Sequence, residues 1–230
     1  MSNTRRKSLW TAGLLAVTLM FLVSTVAFGQ DVVVADYTTS SYTIGYYNNA
    51  VSGVPDAVMH VVNPGSTGGY SPQGDLCANV YVFTPDQQMV ECCSCAISPN
   101  GMQGFSLETD LTANTLTTTP AVTGAIKIVS SQGGGSPAGF PSVGVASPTV
   151  GACDAGNTYS PNGRLETWIT HVRALGTSLG AAYTVTETVF ETVDLSRSEL
   201  SKLQQECYAV ESGLLGSGHG TCTCDPGKAY

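Results

Sequence analysis

Eight cysteines constrain this chain more than any other feature: Cys77, Cys92, Cys93, Cys95, Cys153, Cys207, Cys222 and Cys224. They follow an N-terminal stretch with the marks of an export leader. Arg5, Arg6 and Lys7 form a positive start, Leu9 to Val26 is apolar apart from short Thr, Ser and Gly positions, and Ala27-Phe28-Gly29 offers small residues at a cleavage site. The reading is a signal peptide over 1–29 and a mature chain that starts at Gln30, with an uncleaved anchor as the alternative. No cysteine follows the cleavage site, which argues against a lipoprotein linkage, and no apolar tail closes the sequence. Without its leader the chain is expected not to insert in a membrane. Export plus an even cysteine count predicts four disulfides, out of roughly a hundred ways of pairing eight thiols. Each restricts the unfolded chain and is worth about 2–4 kcal/mol.

Cys92-Cys93-Ser94-Cys95 with Cys222-Thr223-Cys224 also invites a metal reading. Zinc ligands usually stand farther apart in sequence so that they can curl around one ion. In a strand, Cys93 and Cys95 face one way and Cys92 the other, which suits disulfides leaving both faces. No metal is expected. Across a turn at Pro85-Asp86, Cys77 falls opposite Ser94, so its expected partner is Cys95 or Cys93. Cys207 is expected to tie to a strand or to the tail, and Cys222 and Cys224 to pin the Gly-rich 216–220 stretch against the body.

Charge removes several partner classes. The chain has 9 Lys+Arg and 17 Asp+Glu, and the leader holds three of the cations and no acid, so the mature balance is 6 − 17 = −11. The six remaining cations, Lys127, Arg164, Arg173, Arg197, Lys202 and Lys228, are scattered along the sequence. Phosphate neutralisation dominates non-specific nucleic-acid affinity, so no nucleic-acid partner is expected, nor an anionic membrane. Apolar residues at 42% separate the chain from disordered sequences.

The patterning is that of a β protein. Cys77 to Thr84 alternates as a strand, Thr84-Pro85-Asp86-Gln87 suits a type I turn, and Gln88 to Cys93 returns as its partner. Ser98-Pro99-Asn100-Gly101 and Ser160-Pro161-Asn162-Gly163 are the same turn used twice, or a worn duplication; strands over 104–109 and 165–173 follow them. Ala125 to Val129 is a further strand with Ile126 and Ile128 on one face. Between Tyr183 and Val193, Tyr183, Val185, Val189 and Val193 share one face, read as buried. Thr184, Thr186, Thr188, Thr192 and Phe190 share the other, read as facing solvent. One helix stands out: Ser196 and Glu199 form a capping box, Leu200, Leu203, Cys207 and Val210 recur at helical spacing, and Gly213 suits the stop. The fold class is therefore mainly β, an antiparallel β-sandwich with one C-terminal helix, disulfide-braced. It occupies 30–230 as a single domain, with a Gly/Pro/Ser loop at about 132–149.

Chemical motifs are weak. Gly176-Thr177-Ser178-Leu179-Gly180 has the letters of a nucleophile elbow but lacks the strand-to-helix setting that the elbow needs. His60, His171 and His219 lie at no metal-ligand spacing, and a Ser-His-Asp triad has no sequence support. Asp154 and Asn157 lack the calcium-loop spacing and read as a polar turn. No catalytic residue, no cofactor and no enzymatic activity are expected.

Several strings, Leu76-Cys77-Ala78-Asn79-Val80-Tyr81-Val82-Phe83, Glu91-Cys92-Cys93-Ser94-Cys95, Leu111-Thr112-Ala113-Asn114 and Ile126-Lys127-Ile128-Val129-Ser130-Ser131, resemble those of uncharacterised exported bacterial proteins that contain cysteine. The resemblance implies a shared secreted fold and carries no activity.

Three functional expectations follow. The first is a secreted, extracellular structural or adhesive protein, its candidate assembly residues being Val32, Val33, Val34, Tyr42, Ile44 and Tyr46. This N-terminal strand could complete a neighbour's sheet and build a filament of the chain with itself, or simply be the first strand of its own sheet. The second is a module for an extracellular ligand such as carbohydrate, with Tyr46, Tyr47, Tyr70 and Trp168 as stacking candidates. The third is a secreted hydrolase with a pocket near His171 or His219.

Overall fold

A computed structural model describes residues 40–49, 54–65, 75–113, 120–132, 153–158, 161–162, 164–175, 182–214, 220–222 and 224. They belong to the unit Tyr37–Tyr230; the unit Met1–Asp36, with the stretch expected to be a leader and Val32 to Val34, lies outside them. So does most of the Gly/Pro/Ser loop, beyond Gln132. Among the described residues no helix is long and apolar enough to cross a membrane.

Among the described residues nine strands form two antiparallel sheets, as expected of the sandwich. They are β1 (Ser40–Asn48), β2 (Val58–Val62), β3 (Leu76–Phe83), β4 (Met89–Ile97), β5 (Met102–Ser106), β6 (Thr123–Gln132), β7 (Glu166–Leu175), β8 (Ala182–Val189) and β9 (Glu191–Leu195). One sheet has the order β4-β3-β6-β1-β9 and the other β5-β2-β7-β8. The inner faces close over Val80, Val82, Ile126, Ile128 and Tyr47 from the first and Met59, Val61, Phe105 and Ile169 from the second. A buried hydroxyl pair, Thr43 to Thr167 at 2.7 Å, joins the sheets across this core.

The C-terminal helix, α1 (Arg197–Glu211), covers the outer face of the five-stranded sheet. Leu203, Cys207 and Val210 pack against Tyr81, Phe83, Met89, Val129 and Leu195, each such side chain contributing about 1.5–3 kcal/mol on burial. Central strand β3, covered on both sides, is buried along its whole length. The helix starts and stops as its sequence dictates. Ser196 Oγ accepts from the Glu199 amide at 3.0 Å. At the other end Gly213 takes φ 70°, and the Gly213 and Leu214 amides donate back to Val210 and Ala209 at 3.1 Å, a Schellman stop.

The expected hairpin is present, in a different register. The Gln87 amide donates to Thr84 O at 3.0 Å, and Gln87 adopts φ 70°, which adds a residue to the loop. A second irregularity falls between Val82 and Phe83, so Cys77 faces Ala96 rather than Ser94. Directly opposed residues share a face, so Cys77 lies on the face of Ala96 and Cys92, and Cys93 and Cys95 point the other way. The expected Cys77 partner is therefore corrected: Cys77 bonds Cys153, Cα–Cα 5.5 Å. The remaining bridges are Cys92–Cys207, from strand to helix, and Cys93–Cys222 and Cys95–Cys224, which pin the tail to β4. The Cys92 amide donates to Gly220 O at 2.8 Å, and Thr221 forms a parallel bridge with Cys92 along the outer edge of β4.

Two further expectations are corrected. The strand after Ser98-Pro99-Asn100-Gly101 ends at Ser106, not Thr109, because Leu107–Leu111 winds into one π-helical turn capped by Ser106, whose Oγ accepts from the Thr109 amide at 2.9 Å. The Tyr183–Val193 segment is not one strand with a buried valine face. The chain leaves one sheet and enters the other at Phe190, which turns into the core at 5% exposure, while Val185 and Val189 stand 59% and 75% exposed on edge strand β8. Alternation fails there because the two halves belong to different sheets.

Candidate functional site

β1 ends in Tyr46, Tyr47 and Asn48, paired with Ala125, Gly124 and Thr123 at the start of β6. The two tyrosines have opposite fates. Tyr47 points into the core at 1% exposure, and its phenol is pushed up to about 12 by burial and by the nearby Glu91. Gly124 permits this, since a Cβ there would stand 2.8 Å from the Tyr47 ring. Tyr46 stays 51% exposed and stacks on His171 of β7, with ring centroids 4.9 Å apart and planes 17° from parallel.

Tyr46 and Asn48 line two cavities. One, of about 590 Å³, runs past Phe83, the Thr84–Gln87 turn, Ala125, Lys127 and Lys202. The other, of about 390 Å³, is lined by His171, Val172, Arg173 and Ala174. Both volumes suit small molecules or short oligomers. Lys127 Nζ lies 5.3 Å from the Tyr42 and Phe83 ring centroids and bonds the Glu199 carboxylate. Lys202 pairs with Glu206 at 3.8 Å, one helical turn on. The lysines therefore supply ammonium donors whose charge is already matched.

His171 is only 4% exposed, and among the described residues its Nε2 has no hydrogen-bond partner. Burial, and then Arg173, hold the imidazole below the usual histidine value, so it is neutral at physiological pH and offers one donor and one acceptor. A buried polar atom left unpaired costs about 1–3 kcal/mol, so a ligand that reaches it by displacing the covering Tyr46 ring gains that energy on binding.

The sequence candidates are dispersed. Tyr42, Ile44 and Tyr46 lie in β1, which pairs with β6 on one side and β9 on the other within the same chain. Trp168 stacks on His60, centroids 5.2 Å apart, across the β2–β7 pair. Its side chain alternates with that of His171, so it belongs to the opposite face of the sheet from the Tyr46 site. Tyr47 is buried, while Tyr70, His219 and the Gly176-to-Gly180 string lie outside the described residues. All eight cysteines are spent in disulfides, including those of the two groups whose ligand atoms lie close together, Cys93, Cys95 and Cys224, and Cys92 and Cys207 with Glu211. Four disulfides suit an oxidising, extracellular environment. No protein-family model, curated protein or solved structure matches the chain.

Proposed function

We propose that this is a secreted adhesive protein that holds a neutral glycan in the groove around Tyr46. The observation that carries the reading is the pairing of an exposed Tyr46 ring with a buried, unpartnered His171 Nε2 where the two cavities adjoin. A sugar ring has an apolar face that stacks on an aromatic ring and hydroxyls that bond isolated polar atoms. Asn48, Lys127, Lys202 and Arg173 supply further polar groups around the same opening. Because both lysines are matched by glutamates and the chain carries a net charge of −8, a neutral glycan fits better than a polyanion.

A glycan array probed with the oxidised, exported protein tests this. Neutral oligosaccharides should bind with little dependence on salt. Tyr46→Ala should weaken binding by about tenfold, the scale of one aromatic stacking contact, and His171→Phe should weaken it while keeping the ring stack. Binding confined to acidic glycans, or indifferent to Tyr46→Ala, would refute the assignment.

A second reading, a filament subunit that donates its N-terminal strand, draws support from the place of β1. It lies between β6 and β9, so a copy deprived of β1 would present a slot with two pairing edges to a neighbour's strand.

A further inference from the structure

The edge of the four-stranded sheet carries a second proposal, independent of the glycan site. β8 pairs with β7 on one side, and among the described residues no strand pairs with its other side. Natural edge strands are guarded by lysine, proline, a bulge or a covering segment. The opposite edge of the companion sheet follows that rule, since the disulfide-pinned tail lies along β4. β8 does not. Its sequence, Ala-Tyr-Thr-Val-Thr-Glu-Thr-Val, has no Lys, Arg or Pro, one charge, and a pairing with β7 free of register shifts. Val185 and Val189 are also its most exposed apolar side chains.

The strand reads as its own complement. Laid antiparallel against a second β8 with Thr186 on the two-fold axis, Thr184 faces Thr188 of the other copy and Thr186 faces Thr186. On the other face Tyr183 meets Val189 and Val185 meets Glu187. Threonine pairs and aromatic-to-β-branched pairs are favourable cross-strand neighbours. The single charge, Glu187, meets a valine rather than its own copy, which it reaches only along the diagonal. Shifting the axis to Glu187 would oppose the two carboxylates, and shifting it to Val185 would leave Val189 unpaired. We infer that two copies of this chain join edge to edge through β8, in an isologous dimer centred on Thr186 that makes the two four-stranded sheets continuous.

Sedimentation of the oxidised protein over a concentration series tests this, with two variants. Val185→Lys places an ammonium on the exposed side of the edge, where the monomer does not need the valine. It should give a monomer with an unchanged circular-dichroism spectrum. Thr186→Cys brings two thiols opposite each other at the axis, within disulfide reach, and should give a covalent dimer on mild oxidation, whereas Glu191→Cys on β9 should not. Glu187→Gln should tighten the dimer by about two- to five-fold by removing the diagonal repulsion. The proposal is overturned by a wild-type chain that remains monomeric at about 1 mM, by a dimer that Val185→Lys leaves intact, or by a dimer that Thr186→Cys fails to cross-link.

Discussion

Gly45 of β1 lies directly against the ring of Phe190: a Cβ at that glycine would stand 2.3 Å from Cε1. Phe190 is the residue at which the chain crosses from the four-stranded to the five-stranded sheet. The missing side chain on one strand is thus the space that lets the crossover residue enter the core.

Substitution at this pair should show strong coupling. Gly45→Ala forces the ring aside and is expected to cost about 1–3 kcal/mol, the range for overpacking. Phe190→Ala leaves a void and is expected to cost about 3–5 kcal/mol. The double variant should lose less than the sum, because the new methyl occupies space that the ring has left. Urea denaturation of the four proteins measures the coupling, and simple additivity would show that the two residues do not share that space.

The helix depends on its covalent tie as well as on packing. Cys92–Cys207 spans 115 residues, so replacing both cysteines by serine should cost about 2–5 kcal/mol. Leu203→Ala, at a fully buried contact of the same helix, should also cost about 2–5 kcal/mol. Thermal melts would show both. An unchanged midpoint in the double serine variant would mean that packing alone holds the helix.

Removal of every residue up to Val51 deletes β1. With β6 and β9 losing their shared neighbour, the truncated monomer should lose cooperative unfolding. If strands are exchanged between copies, the truncated protein keeps a fold that a synthetic β1 peptide restores to full stability. Far-UV spectra with and without the peptide separate these outcomes.

Acid should destabilise the protein from near-neutral pH downward. Burial holds His60 and His171 below the ordinary value of 6.5, with Glu187 partly offsetting the effect at His60 and Arg173 adding to it at His171. The unfolded chain therefore takes up protons that the folded chain refuses. The associated stability is present above 6.5 and is lost as pH falls from there through the folded-state values. Glu211, raised by burial and then by Asp154, acts oppositely, its stabilising share being complete below 4.5 and lost as pH rises. Melting temperatures of the His60→Phe/His171→Phe variant should fall less between about pH 7 and pH 5.5. Parallel curves for wild type and variant would refute the linkage.

Elements with local signals were the ones legible in the sequence. Ser196, Glu199 and Gly213 mark the helix because capping acts within one turn, and the β3–β4 turn is set by Pro85 and Asp86. The faces of β8 were misread because nothing near Phe190 announces a change of sheet. The Cys77 partner was missed because Gln87 and the irregularity at Val82/Phe83 moved the register, and because strand parity aims Cys93 and Cys95 away from it. The site around Tyr46 draws on β1, the β3–β4 turn, β6, β7 and the helix, so only tertiary packing reveals it. The sequence offers Tyr46 as a stacking candidate beside Tyr47, whose ring the alternation of β1 sends to the opposite side.

Every disulfide has one end on the β3–β4 hairpin, and three of the four have the other end at or beyond Cys207. Synthesis, N-terminus first, delivers Cys92, Cys93 and Cys95 side by side, long before any of their partners arrives. Only Cys77 can find its mate early, once Cys153 has emerged. Until their own partners arrive, the three waiting thiols can join each other or foreign thiols. Loss of the segment that carries Cys222 and Cys224 would leave Cys93 and Cys95 as unpaired, reactive thiols.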